Sequence, residues 1–214
     1  LLCDTHAITE VLIRFGRGED PRVQVALDRM SADLTPTTQG TAWPCRPDPA
    51  TGFHGPGRRG DVCPQVTLEG LRTFAQVPAA RRPPQLAEVA RVVLSTWGYR
   101  AESTPYMFGH GRSFKAGKWP ATWYSAPAVL EALGDHQQLW DDPSSDPGDR
   151  GRVAELVACL IAYTMAADGR VRPQSTFRGY EDFSFGQKKV ASPFATAKVV
   201  SVLTPFTALA GDVA

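Results

Sequence analysis

Apolar residues recur at every third or fourth position along most of this chain, a spacing that predicts helices. The first predicted helix begins at Asp4, a favourable N-cap residue, and ends at Gly16. Its apolar face carries Ile8, Val11, Leu12 and Phe15. Seven predicted helices cover 4–15, 21–30, 64–77, 84–97, 120–134, 149–168 and 193–203. The pattern contains no convincing strand, so the predicted fold class is all-α.

Proline marks the start of four of these helices, because its missing N–H is harmless at the first helical position. The four are Pro21, Pro64, Pro120 and Pro193. Pro127 falls inside the fifth predicted helix, where proline removes a backbone hydrogen bond. We therefore expect a kink in that helix.

The connections between the helices alternate in length. The joins after helices one, three and five are short, whereas those after helices two, four and six cover 33–63, 98–119 and 169–192. If the helices alternate up and down, all three long connections lie at one end, where helices one, three, five and seven begin. Connections of this length in a compact domain are usually functional.

Composition narrows the classes of function. The 214 residues predict a single domain, 1–214, and a formal net charge of +1 gives no overall attraction to nucleic acid. No apolar run approaches the roughly 20 residues of a membrane span. The four cysteines form no C-x-x-C pair, so reduced thiols and a cytoplasmic location are expected. The chain begins Leu-Leu-Cys, with neither Met nor a signal peptide, so we expect an N-terminal part to be missing.

Three stretches carry a family resemblance: GRRGDVCPQVTLEGL (57–71), FGHGRSFKAGKWPATWYSAPAVLEALG (108–134) and EDFSFGQKKVASPFATAKVVSVL (181–203). They resemble bacterial proteins with squalene-cyclase and prenyltransferase-type helical repeats. The resemblance implies an α/α-toroid, in which inner helices line a cavity and outer helices surround them. Such a ring holds about twice the helix pairs predicted here, so a missing N-terminal segment or a partner chain would complete it.

The resemblance raises the question of zinc. The prenyltransferase β-subunits hold zinc with an Asp-x-Cys pair and a His, and Asp61 and Cys63 match the pair. The position of the His corresponds to Ala121, which leaves His6 and His110 as the nearby substitutes. Two ligands do not hold zinc tightly, so no metal cofactor is expected. The alternative is that Asp61 caps helix three and Cys63 packs beneath it.

Acid or nucleophilic catalysis is a second possibility. The triterpene cyclases that this chain resembles use an Asp-rich DxDD-type motif as their acid. This chain contains no such motif. A single carboxyl such as Asp4 or Asp61 would act as a general acid if it were buried. Nucleophilic attack by Cys63, or by Cys3 with His6 three residues further on, is also geometrically feasible.

Anion binding is the strongest candidate from the residues themselves. The three long connections hold twelve basic residues against six acidic ones, a local excess of +6. Helix N-termini at the same end add favourable dipoles and free N–H groups. The alternative is that these basic side chains are ordinary solvent-exposed loop residues that bind no ligand. If a diphosphate binds there, we expect direct contacts from Arg58, Arg59, Lys118, Lys188 and Lys189.

Aromatic residues cluster at the same end. Trp119, Trp123 and Tyr124 begin the fifth predicted helix, and further rings lie in the long connections, at Trp43, Tyr106, Phe108, Phe183 and Phe185. Such rings wall apolar pockets and stabilise cations through their faces, although packing alone is the alternative.

Three functions follow as expectations. The first is a terpenoid-handling toroid that binds a prenyl diphosphate or a polyprenyl-like molecule in a central cavity, as a divergent cyclase or prenyltransferase-like enzyme. The second is a non-catalytic toroid that binds a ligand or a protein. The third is a partial ring whose open edge completes another subunit.

Overall fold

A computed structural model describes residues 2–46, 50–52, 61–105, 108–142 and 145–213. The chain divides into two compact units, residues 1–108 and 109–214, and each is treated by itself. The N-terminal unit contains α1 (Leu2–Arg14), α2 (Pro21–Ala32), β1 (Thr35–Thr37), β2 (Gly40–Ala42), α3 (Pro64–Ala75) and α4 (Leu86–Gly98). The C-terminal unit contains α5 (Arg112–Ala116), α6 (Ala126–Leu133), α7 (Pro147–Thr164), α8 (Pro193–Leu203) and α9 (Ala210–Val213).

The predicted helical class is confirmed, and each of the seven predicted helices has a counterpart. Proline occupies the first turn of α2, α3 and α8, as its stereochemistry favours. Short 3₁₀ turns at Ala79–Arg81, Gln137–Leu139, Ser184–Gly186 and Thr204–Leu209 supplement these helices. The toroidal arrangement of the helices stays a proposal.

The expectation that the chain has no strand was wrong for the first long connection. There β1 and β2 form an antiparallel hairpin in which Thr35 pairs with Ala42 and Thr37 with Gly40. Gly40 has φ of 123°, which a residue with a side chain rarely adopts. The hairpin lies against α4, where the Thr41 N–H donates to Glu88 Oε1 at 2.9 Å.

The fifth predicted helix begins later than expected, at Ala126 rather than Pro120. The preceding segment is extended because Trp119 pairs with Thr176: the Trp119 N–H donates to Ser175 O, and the Phe177 N–H donates to Trp119 O. Pro127 therefore falls in the first turn of α6, where its missing N–H has no helical partner to lose. The predicted kink at Pro127 was wrong for this reason.

Helix α1 exposes the face that the sequence marks as apolar. Ile8 is 60% exposed and Phe15 80% exposed, and Val11 and Leu12 are also exposed. The buried face instead carries His6, Thr9 and Glu10. This polar face packs against α3, where His6 Nδ1 bonds to Val66 O, the Thr73 hydroxyl lies 3.4 Å from His6 O, and Glu10 lies 3.4 Å from Arg72.

The core of the N-terminal unit is centred on Trp43 and α3. The indole of Trp43 is fully buried, stacks on Phe74 with ring centroids 6.0 Å apart, and donates from Nε1 to Met30 O at 2.8 Å. Helix α3 is buried on every side from Pro64 to Leu71. Gly70 leaves room for the indole, since a Cβ at this position would lie 2.6 Å from Trp43 Cζ3.

The C-terminal unit packs around α6, which is buried along nearly its whole length. Helices α5 and α8 flank α6, and α7 contacts both α5 and α6. The indole of Trp140 packs against Phe206 at 4.8 Å, and Lys198 on α8 forms an ion pair with Glu131 on α6. These contacts join the ends of the unit to its central helix.

One described stretch, Pro193–Val213, is apolar and long enough to cross a membrane by length and composition alone. Only 28% of its most apolar window is buried. The stretch is not one regular α-helix, because the 3₁₀ turn Thr204–Leu209 holds Phe206 at φ −100° and ψ 15°. Length and composition of a single segment are weak evidence for a span, since helices of soluble proteins share them.

We expect Gly70→Ala to lower the free energy of unfolding by about 1–3 kcal/mol, because the added methyl group overpacks against Trp43. Urea denaturation measures this change. The matched control is Gly151→Ala on the exposed side of α7, where an added methyl group would meet no atom within 4 Å. There alanine should stabilise the protein by about 0.5–1 kcal/mol through helix propensity. Equal stability of Gly70→Ala and the wild type would contradict the packing described for Trp43.

Candidate functional site

Cys63 and Asp61 lie at the start of α3, as the sequence indicates. Cys63 is the N-cap residue, is 4% exposed, and makes no side-chain capping bond. Its backbone N–H donates to Trp43 O at 3.1 Å. Asp61 lies two residues before the N-cap and is partly exposed. The interpretation that Asp61 is the cap of helix three was therefore wrong, whereas Cys63 does pack beneath the helix.

His6 is fully buried at the interface between α1 and α3. Its Nδ1 lies 3.1 Å from Val66 O, so Nδ1 carries the proton and donates to this carbonyl. Burial lowers the pKa of His6 to about 4, so the ring is neutral near pH 7. The other nitrogen, Nε2, is buried and has no hydrogen-bond partner among the described residues.

The pairing of Cys3 with His6 as a nucleophile and base was wrong. The Cys3 thiol points to Asp4 Oδ1 at 4.0 Å, and neither ring nitrogen of His6 bonds to it. Burial also raises the pKa of the Cys3 thiol, which disfavours the reactive thiolate. Asp4 itself is exposed on the first turn of α1, so it lacks the burial that a general acid needs.

Glu69 is the buried carboxyl that sequence reasoning missed. It is 6% exposed, and burial raises its pKa from 4.5 to about 7. Gln65 Nε2 donates to Glu69 Oε1 at 2.6 Å, whereas Oε2 has no partner among the described residues. The available signal was the polar stripe of Gln65, Glu69 and Arg72 on one face of a helix that is otherwise suited to burial.

Glu10 shows how a neighbouring carboxylate differs from Glu69. It accepts from Arg14 at 2.9 Å and lies 3.4 Å from Arg72, so two guanidinium groups compensate its charge. Its negative charge, together with that of Asp4, contributes to the raised pKa of Glu69. The interface between α1 and α3 thus holds one ion-paired carboxylate and one carboxyl that is half protonated near neutral pH.

The predicted ligand residues of the C-terminal unit meet at a surface that we call the C-terminal loop cluster, residues 117–121, 173–177 and 183–192. Trp119 ties its parts together, since its backbone bonds to Ser175 and Phe177 and its carbonyl accepts from the Thr176 hydroxyl at 3.0 Å. The Lys189 N–H donates to Pro173 O at 2.8 Å. Two of the three long connections therefore meet in this unit.

The indole of Trp119 is 1% exposed and lies 6.4 Å from the ring of Phe185. Its Nε1 donor has no hydrogen-bond partner among the described residues. A buried donor without a partner carries a free-energy cost, which an acceptor oxygen at this position would relieve.

Trp123 and Tyr124 have different surroundings. Trp123 is 49% exposed, whereas Tyr124 is buried, and its hydroxyl lies 2.7 Å from His110 Nε2. Burial raises the pKa of Tyr124, so the hydroxyl is protonated near neutral pH. His110 and Tyr124 also pack around Phe114, which makes them part of the core rather than an open wall.

Four rings form a partly exposed group that we call the aromatic cluster: Tyr180, Phe183, Phe185 and Phe194. Phe185 is buried at its centre, with Phe183 stacked on it at 5.2 Å and Phe194 at 5.1 Å. Phe183 and Phe194 are each more than half exposed. The chain therefore presents apolar ring faces close in sequence to Lys188 and Lys189.

Some basic residues of the long connections are engaged within the protein. Arg46 donates to Asp33 at 2.6 Å, and Arg172 pairs with Asp168 at 2.7 Å. Arg100 packs on Trp97, and Lys118 lies 4.5 Å from the ring centre of Phe177. Arg58 and Arg59 lie outside the described residues, as does Tyr106.

Lys188 and Lys189 differ from these cations, because both are exposed and neither makes an ion pair with a described residue. Glu181 and Asp182 lie in the same connection, where Glu181 Oε2 accepts from the Gly179 N–H at 2.8 Å. Arg112, Arg170 and Arg178 are also exposed and make no ion pair with a described residue, but they lie outside the C-terminal loop cluster. Within that cluster the expected positive charge is centred on residues 188 and 189.

Metal ligation has no complete donor set in the described part of the chain, where no three His, Cys, Asp or Glu side chains form a group that would hold an ion. Comparison with protein-family models, with curated proteins and with solved structures found no match to this chain. The resemblance to the toroid repeats therefore stays a proposal.

We expect Glu69→Gln to change how stability depends on pH. A carboxyl whose pKa is raised on folding stabilises the protein below its unfolded pKa of 4.5, and this contribution is lost as pH rises through about 7. The loss is on the order of 3 kcal/mol. The variant should therefore gain stability relative to the wild type between pH 5 and pH 8. His6 has the opposite effect, because the stability that it contributes is lost as pH falls from 6.5 to about 4. This effect is the same in the wild type and the variant, so it cancels in the comparison.

Thermal denaturation at pH 5 and pH 8 measures this difference. Glu19→Gln, at an exposed position between α1 and α2, removes a carboxyl of the same kind without burial and should follow the wild type at both pH values. A stability difference between Glu69→Gln and the wild type that is the same at both pH values would show that Glu69 is ionised throughout.

Proposed function

We propose that this chain binds an amphiphilic ligand, an apolar chain with an anionic head of the diphosphate class, at the C-terminal loop cluster. The observation that carries the proposal is the aromatic cluster together with two exposed lysines in the same connection, neither of which makes an ion pair with a described residue. The apolar ring faces suit the hydrocarbon chain of such a ligand, and the adjacent cations suit its anionic head. Rings or cations alone would suit only one of the two ends.

Lys188 and Lys189 serve the anionic head in this proposal. They shortly precede α8, whose N-terminus adds a favourable dipole. The Ser192 hydroxyl already caps α8 by accepting from the Ala195 N–H at 3.1 Å, so the lysines carry most of the attraction. Lys118 belongs to the same loop cluster, and we assign it a secondary role because its ammonium group packs over Phe177.

The aromatic cluster serves the apolar tail. Phe183, Phe194 and Tyr180 together expose a large apolar area on one loop and the start of α8. Covering such an area with hydrocarbon stabilises a complex by about 25 cal/mol for each Å² removed from water. Trp119 is only 1% exposed, so its part in this proposal is to hold the loop cluster together through its backbone bonds to Ser175 and Phe177.

The wider setting follows the resemblance to the squalene-cyclase and prenyltransferase repeats. In that setting the helices belong to an α/α-toroid, which a further segment or a partner chain completes. All four cysteines are free thiols, which fits a reducing compartment such as the cytoplasm. The sequence suggested an isoprenoid bound in a central cavity, whereas we now propose that it binds at the C-terminal loop cluster.

A titration calorimetry series with geranylgeranyl diphosphate and isopentenyl diphosphate tests the proposal. We expect the long-chain ligand to bind with micromolar affinity that falls as salt is added. Lys188→Gln/Lys189→Gln should weaken both ligands at least tenfold, because it removes charge-assisted hydrogen bonds to the head. Phe183→Ala should weaken the long-chain ligand and leave the short-chain ligand unchanged.

The matched control is Arg17→Gln/Arg112→Gln, which removes the same amount of charge at exposed positions outside the loop cluster. It should bind both ligands as the wild type does. Absence of heat at millimolar ligand, or equal losses in the two double variants, would rule out a diphosphate site at residues 188 and 189. The non-catalytic, protein-binding alternative would then be favoured.

A second candidate function is acid catalysis, and Glu69 is the observation that favours it. A carboxyl with a pKa of about 7 is protonated in half the molecules at neutral pH, as proton donation to an alkene or an epoxide requires. Asp61 and Asp4 are more exposed than Glu69, so Glu69 replaces them as the candidate acid.

For this second candidate we expect Glu69→Gln to abolish conversion of a polyprenyl substrate while diphosphate binding stays at the wild-type level. Mass spectrometry of extracted products measures conversion, and calorimetry measures binding. Glu19→Gln is the control, because it removes an exposed carboxyl outside the interface between α1 and α3. Product formation that persists in Glu69→Gln would remove Glu69 from the reaction.

A further inference from the structure

Cys45 and Cys63 meet at a short antiparallel bridge in the N-terminal unit. Pro44 pairs with Val62 in this bridge, and the Cys63 N–H donates to Trp43 O at 3.1 Å. Since side chains alternate along extended chains, Cys45 and Cys63 both point to the side opposite Pro44 and Val62. In this antiparallel register Cys45 lies opposite Asp61 and Cys63 opposite Trp43, so the two cysteines are diagonal neighbours on one face of the bridge, where the Cys63 thiol interacts with that of Cys45 as a donor.

The two thiols have unequal surroundings. Cys63 is 4% exposed, whereas Cys45 is half-buried and accessible from solvent. The hydrogen bond from the Cys63 thiol lowers the pKa of Cys45, because it stabilises the Cys45 thiolate. The same bond and burial raise the pKa of Cys63, which keeps its proton. An accessible thiol with a stabilised thiolate beside a buried partner is the arrangement of a reactive thiol and a resolving thiol.

We propose that Cys45 and Cys63 form a redox-active dithiol, a modification site that disulfide oxidants of the glutathione class convert into an intramolecular disulfide. This inference is independent of the proposed ligand site, which lies in the other unit. The remaining cysteines have different environments: Cys3 bonds to Asp4, and Cys159 lies on α7 of the C-terminal unit.

The reaction proceeds by two exchanges. The Cys45 thiolate attacks one sulfur of oxidised glutathione, a mixed disulfide forms, and one glutathione thiolate leaves. Cys63 then gives up its proton to solvent and attacks the Cys45 sulfur, which displaces the second glutathione thiolate. The protein loses two electrons and two protons in total, and oxidised glutathione is reduced to two molecules of glutathione. Excess dithiothreitol reverses the process.

The disulfide has a structural consequence for α3. It would close a loop of 17 intervening residues and fasten the segment after Trp43 to the residue that precedes the helix. Closing a loop of this length restricts the unfolded chain, so the oxidised protein should be more stable. The position of α3 relative to Trp43 is thereby maintained by a covalent bond as well as by packing.

The test incubates the full chain with oxidised glutathione and then blocks free thiols with iodoacetamide under native and under denaturing conditions. We expect peptide mapping to find Cys45 joined to Cys63, with Cys3 and Cys159 alkylated after denaturation. Thermal denaturation should show a Tm higher by about 5–10 °C in the oxidised protein. Dithiothreitol should remove both the crosslink and the shift.

Three variants make the test specific. Cys45→Ser should block all reaction with glutathione at this site, whereas Cys63→Ser should accumulate the mixed disulfide at Cys45. Cys159→Ser is the matched control and should form the crosslink as the wild type does. A disulfide between Cys3 and Cys45, or alkylation of both Cys45 and Cys63 after oxidation, would overturn the proposal. Because peptide mapping is done on the wild-type chain, this result does not depend on whether a variant folds.

Discussion

The packing of Trp43 is the constraint on which the N-terminal unit depends. Its indole joins α2 through Met30 O and α3 through Phe74 and Gly70, and its carbonyl accepts from both Cys63 and Thr67. One residue of the first long connection therefore determines where α3 begins. It also places Cys45, two residues further along, beside Cys63. A connection of irregular structure thus acts as part of the core.

The interface between α1 and α3 shows the opposite balance, since polar groups are buried there and apolar ones exposed. Burying Glu69 and His6 costs free energy unless partners compensate, and each keeps one atom without a partner among the described residues. A purely structural interface would lose nothing by replacing these groups with apolar residues. We propose that Glu69 serves the acid chemistry suggested above rather than the stability of this interface.

Local signals in the sequence predicted the helices well, and long-range contacts explain what they missed. Pro21, Pro64 and Pro193 mark helix starts because their effect on the backbone is local. The late start of α6 depends on Trp119 pairing with Thr176, which lies 57 residues away. The burial of Glu69 and the closeness of Cys45 to Cys63 likewise arise from packing between distant segments. Candidate residues chosen by type alone therefore have partners that the sequence did not indicate.

The two candidate sites differ in the sign of their charge, and this decides which ligand each would accept. An anionic head near α1 and α3 would face Asp4, Glu10 and Glu69, and each further negative charge would raise the pKa of Glu69. Such a site suits a neutral, apolar substrate that takes a proton. Lys188 and Lys189 present the opposite field, which is why we propose the diphosphate site in the C-terminal unit. Loss of diphosphate binding and loss of proton donation are therefore separate outcomes, because each depends on charges that only one of the two units carries.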